Sequence, residues 1–122
     1  MSLAYAYQSV EPLPVERSLD LDHLSRRTSG DAALEREVLA IFRRQARQVL
    51  FQLEAMTDPH TRLKIAQSLN GSAKGVGAWR VAEAAEALEA AMRDERPAGA
   101  VVADLAESIS DAIGEIDNVL EG

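Results

Sequence analysis

Apolar residues recur at three- and four-residue intervals through most of this chain, the period of a helix that turns one face toward a core. The longest run reaches from Ala32 to Met56, where Leu34, Val38, Ile41, Phe42, Val49, Leu53 and Met56 form one stripe and predict a long helix. Thr57-Asp58-Pro59 closes it and opens the next, because an aspartate accepts orphan backbone N–H groups and the fixed φ of proline suits a first helical position. That third helix is predicted from about Pro59 to Lys74, before Gly75-Val76-Gly77 interrupts it. Val81, Ala85, Leu88 and Met92 mark a fourth helix ending near Arg96-Pro97. Val102, Leu105, Ile109, Ile113, Ile116 and Leu120 mark a last one, whose acidic residues fall elsewhere on its surface. Upstream, Asp20 or Asp22 is placed to cap a short helix carrying Leu21 and Leu24; Thr28, Ser29 and Gly30 end it, and Asp31 caps the long helix. Residues 1–18 hold Pro12 and Pro14, show no sustained period, and are expected to form a flexible N-terminal arm. Residues 19–122 are then one unit. Four long helices with short connections imply an all-α, antiparallel four-helix bundle with a short extra N-terminal helix.

Composition strengthens the helical reading and removes several chemistries. Aromatic residues are only 4% of the 122, so aliphatic side chains must fill the core. The chain has no cysteine, which excludes disulfides, thiolate metal sites and a cysteine nucleophile. Its two histidines lack suitably spaced carboxylates, so no metal site is expected, and no motif calls for a cofactor. Gly75 and Gly77 follow a helix and lack the lysine-serine ending of a phosphate loop, so they read as a helix cap and turn. No basic, apolar leader or membrane-length run is present, and the expectation is a cytoplasmic protein that does not enter a membrane.

A net charge of −7 argues against a nucleic-acid partner. The distribution is uneven. Between residues 41 and 82, seven basic residues (Arg43, Arg44, Arg47, Arg62, Lys64, Lys74, Arg80) face two acids (Glu54, Asp58), a local balance of +5.

The third helix separates into two faces when about 100° is allotted to each residue. Ile65, Leu69, Ser72, Ala73 and Val76 share one side and read as its core stripe. His60, Leu63, Lys64, Gln67, Asn70, Gly71 and Lys74 fall within about 60° of Gln67 on the other side, so Gln67 is expected to face solvent. A glycine inside a helix costs about 1 kcal/mol relative to alanine. On a core face Gly71 would mark a close helix contact; on an outward face, approach by a partner is the more natural reason for it.

The stretch Ala66 to Ala78, A-Q-S-L-N-G-S-A-K-G-V-G-A, resembles the histidine-containing phosphotransfer family, whose motif A-H-x-L-K-G-S-A-x-x-x-G lies on the second helix of a four-helix bundle. Ala66, Leu69, Gly71, Ser72, Ala73 and Gly77 match in register, Phe42, Gln45, Leu88 and Glu89 extend the likeness, and it covers roughly residues 20 to 120. The resemblance implies a two-component phosphorelay, with a response-regulator receiver domain or a histidine kinase as partner, docked on His60, Leu63, Lys64, Gln67, Asn70, Gly71 and Lys74. Two positions depart from the motif. Gln67 stands where the family carries its phosphoaccepting histidine, and Asn70 where it carries a lysine.

Phosphorelay needs an imidazole nitrogen that attacks phosphorus and later leaves it, whereas a carboxamide nitrogen is delocalised and nearly non-basic. No catalytic residue is therefore expected, and the implied role is docking without phosphate acceptance. Two alternatives stand beside it. One is transfer through a relocated histidine: His60, about 10.5 Å along the helix from Gln67, or His23 in the first short helix. The other is a purely structural helical module that meets its partner through the acidic last helix or the N-terminal arm.

Overall fold

The computed structural model describes residues 18–55 and 57–122, and these form five helices with no strand among them. They are α1 (Leu21–Arg27), α2 (Ala32–Ala55), α3 (Pro59–Val76), α4 (Trp79–Arg93) and α5 (Gly99–Glu121). The four longer helices pack as a ring in which α2 and α4 each touch both α3 and α5, and α1 lies against α2 and α3. The described residues thus form an all-α helical bundle. The expected arm lies outside the described residues apart from Ser18, which is buried and donates its N–H to a Glu115 carboxylate oxygen at 2.8 Å. Met56 also lies outside them.

Local chemistry explains the boundaries. Asp20 caps α1 by accepting the His23 N–H at 3.0 Å, and Asp31 accepts the Leu34 N–H at 3.1 Å at the start of α2. Asp58 caps α3 through both the N–H (2.9 Å) and the hydroxyl (2.8 Å) of Thr61, with Pro59 in the first turn. α3 runs two residues further than expected, through Gly75 and Val76. Gly77 ends it with φ +82°, while the Ala78 N–H returns to the Ala73 carbonyl at 2.8 Å. α4 stops three residues earlier than expected, at Arg93. Glu95 turns the chain with φ +57°, and the Arg96 N–H closes on the Ala91 carbonyl at 2.8 Å.

The core differs from the expected stripe on α2. Leu34 and Ile41, assigned inward by spacing, are 41% and 53% exposed. Leu39, Phe42, Ala46, Val49 and Leu53 are the residues that α2 buries. Ala46 explains the discrepancy: a pattern of large apolar residues overlooks alanine, and alanines let helix axes approach closely. Ala66 and Ala73 on α3 and Ala82, Ala84 and Ala85 on α4 are likewise buried, and α3 with α4 forms the most extensive helix pair. Leu69, Leu88, Leu105, Ile109 and Ile116 fill the remaining volume.

Charged side chains brace the ring from outside. Arg43 reaches Asp117 at 2.6 Å and Arg80 reaches Asp111 at 3.2 Å, joining α2 and α4 to α5. Arg36 donates to the Val119 and Leu120 carbonyls, and Arg62 donates to the Leu53 carbonyl at 3.1 Å. Both arginines satisfy carbonyls that a helix C-terminus leaves without partners.

Candidate functional site

Gln67 lies in the middle of α3 and is exposed, as are His60, Lys64, Gly71 and Lys74. These five form one continuous outward face. Leu63 and Asn70, expected to stand out with them, are half-buried. The buried residues of α3 are Ala66, Leu69, Ala73 and Val76, while Ile65 and Ser72 are only half-buried. The core arc is thus rotated toward Ala66, which draws the Leu63–Asn70 edge of the face down toward α4.

Nothing lies within 4 Å of the place a Cβ would occupy at Gly71. A close helix contact is therefore not the reason for this glycine. The surface over Gly71, one helical turn from Gln67, is open.

Electrostatics on this face are quieter than the sequence balance suggests. Lys74 pairs with Glu86 of α4 at 2.8 Å, and the Asn70 amide donates to the same carboxylate at 3.2 Å. Lys74 first and Asn70 second hold the Glu86 carboxyl below its ordinary value. Asn70 Oδ1, by contrast, is buried without a hydrogen-bond partner. Of the seven basic residues between 41 and 82, Arg43 and Arg47 face Asp117, Arg80 faces Asp111 and Lys74 faces Glu86. The local +5 is thus largely offset by acids that the fold brings in from α4 and α5. Lys64 has no ion pair among the described residues and is the cation this face presents freely.

Beside Lys64 a groove of about 290 Å³ separates α2 from α3, with Gln45, Gln48 and Gln52 on one wall and Lys64, Ile65 and Ser68 on the other. Spacing alone did not reveal it. Glu86 was also missed, because its link to Asn70 and Lys74 crosses between helices, and no pattern within α4 announces that.

The two histidines are placed differently. His60 is exposed in the first turn of α3, on the same side as Gln67. His23 lies against Trp79 edge to face, with ring centroids 4.9 Å apart, and its Nε2 is buried without a hydrogen-bond partner. Trp79 itself remains 41% exposed, and its Nε1–H donates to Asp20 at 2.9 Å. It therefore fastens α1 to the turn between α3 and α4. Among the described residues no three of His, Asp and Glu gather where they would share a cation, and no helix is long and apolar enough to cross a membrane.

The face can therefore offer hydrogen bonds from a carboxamide, one unpaired ammonium and an unobstructed glycine surface. Its one imidazole, His60, stands about two turns along the helix from Gln67. Comparison of the chain with protein-family models, curated proteins and solved structures returned no match.

Proposed function

We propose that this chain is a phosphotransfer-like docking protein of a two-component phosphorelay, one that engages a receiver domain or a histidine kinase through the Gln67 face without accepting phosphate. The observation that carries the reading is Gln67 itself. It is exposed at mid-helix, in register with the phosphoacceptor of the motif that the chain resembles, and Gly71 leaves the adjoining surface open. A side chain at position 71 would hold a partner's loops away from Gln67; glycine does not.

An acyl phosphate on a receiver transfers only to a nucleophile that can displace the aspartate carboxylate from phosphorus. The carboxamide of Gln67 cannot do so, but it can accept and donate hydrogen bonds where an imidazole would have reacted. The outcome is occupancy of the partner's active-site surface without discharge of its phosphate, as a competitor or a sequestering factor.

Titration of the purified chain against the receiver domains and histidine kinases of its host tests this. Binding to at least one of them at about 50 µM or tighter is expected, weakened by Lys64→Glu, and binding to none defeats the proposal. A Gln67→His, Asn70→Lys variant presented with phosphorylated receivers is expected to acquire phosphohistidine, which the parent chain does not.

A further inference from the structure

The outward side of α2 carries a second apolar stripe that the fold leaves uncovered. Leu34, Glu37, Ile41, Arg44, Gln48, Phe51 and Ala55 follow alternating three- and four-residue steps and are all exposed. Together they span an arc of about 100°, nearly opposite the buried Leu39, Phe42, Ala46, Val49 and Leu53. Phe51 is 67% exposed, Ile41 53% and Leu34 41%. Single exposed apolar residues are ordinary, but three along one stripe between Leu34 and Phe51 form a seam of the kind that helices bury against one another.

We infer that this seam pairs with the same seam of a second copy of the chain, antiparallel, about a two-fold axis that passes between Phe42 and Arg43 along the helix. The charge order on the stripe selects this occupant. In that register Leu34 lies opposite Phe51 of the partner subunit, and Ile41 lies on the methylenes of the partner's Arg44. The partner's Arg44 is then one turn from Glu37, within reach of its guanidinium, and the two-fold axis creates the same ion pair twice. A parallel pairing would set Glu37 on Glu37 and Arg44 on Arg44, and would also align the helix dipoles unfavourably. Gln45 and Gln52, flanking the seam, supply a polar rim.

The contact is modest. From Leu34 to Ala55 the stripe is about 31 Å long, and one helix pair of that length buries less than the roughly 800 Å² per partner of a standard interface. A concentration-dependent dimer follows, with dissociation in the micromolar range. The seam does not include Gln67, although its Gln45–Gln52 rim borders the groove that Lys64 lines, so the two proposals rest on separate observations at neighbouring faces.

Equilibrium sedimentation of the full chain from about 1 to about 500 µM reads the association directly. A rise from 13.2 kDa toward twice that mass is expected. Ile41→Glu or Phe51→Glu should hold the chain monomeric with unchanged helix content, since both positions are exposed. Glu37→Arg or Arg44→Glu alone should weaken dimerisation about 10-fold, and the double reversal should restore it. Because the chain has no cysteine, a mixture of Leu34→Cys and Phe51→Cys proteins should cross-link on oxidation in mixed pairs. A monomer at every concentration overturns the inference and leaves the seam to another protein. A dimer indifferent to Ile41→Glu and Phe51→Glu also overturns it, as does cross-linking of Leu34→Cys to itself. Receiver titration with Ile41→Glu separates the two proposals, since loss of the dimer should leave docking intact.

Discussion

Two glycines on or beside α3 do opposite work. At Gly71 the helix has ordinary geometry and open space, so alanine there should stabilise the bundle by up to about 1 kcal/mol through helix propensity alone. If the Gln67 face docks a partner closely, the same methyl group should weaken that complex. Gly71→Ala therefore predicts a raised urea midpoint together with reduced receiver affinity, and reduced affinity without loss of stability separates docking from a folding defect. At Gly77 the φ of +82° is one that L-residues adopt reluctantly, and a Cβ would meet the Asp20 carbonyl oxygen at 2.8 Å. Gly77→Ala should cost about 1 to 2 kcal/mol from the left-handed conformation, and more from the displaced Asp20, measured by the same unfolding curves. The motif resemblance drew both glycines from the sequence as one pattern. Only the contacts around them show that one is required by the fold and the other is not.

Asp20 joins three elements, and its effect belongs to that scale. Its backbone N–H donates to the Gly77 carbonyl at 2.9 Å, one carboxylate oxygen caps α1 and the other accepts from Trp79. The Trp79 indole first, and the His23 N–H second, hold its carboxyl below the ordinary 3.8. A lowered folded value means that the ionised group contributes its stability at every pH above 3.8 and loses it as pH falls through the lower folded value. Asp20→Asn keeps one oxygen to cap the His23 N–H but turns an NH2 group toward the Trp79 indole N–H, which can only donate, so that bond is lost at a cost of about 1 to 2 kcal/mol at pH 7. That difference should shrink in strong acid, where the parent side chain is also neutral. Trp79 is the single tryptophan, so its fluorescence should follow detachment of α1 directly. Capping at this level was legible, since Asp20, Asp31 and Asp58 all precede apolar periodicity. The orientation of α2 was less so. A 24-residue helix with apolar residues on two stripes satisfies the helical period twice, and Leu34 and Ile41 belong to the stripe that the bundle does not cover.

Over the whole molecule, the arrangement of acids decides how the Gln67 face looks to a partner. The chain carries −7, and its basic middle section is paired with acids from α4 and α5 that become neighbours only when the ring closes. Linear charge counts could not show this pairing, because they treat residues 41–82 as a unit that the fold does not keep apart. Under the docking proposal, Glu86 is the acid that matters. It is exposed and holds Lys74 and Asn70 together, so Glu86→Gln should leave stability nearly unchanged, as expected for a surface pair. It should nevertheless free the Lys74 ammonium, which lies on the Gln67 face about two turns further along the helix. For a receiver whose active site is an acidic cluster, one released cation raises the association rate more than it slows dissociation, by several-fold at low salt. The gain should vanish near 1 M salt, where the screening length is about 3 Å. Lys74→Gln leaves Glu86 as an unpaired anion and should slow association below the parent, while Glu86→Gln, Lys74→Gln together, neutral like the parent pair, should return it to about the parent rate. Stopped-flow association at two ionic strengths reads all three proteins. Equal rates for Glu86→Gln and the parent at low salt would show that the partner does not approach through this face.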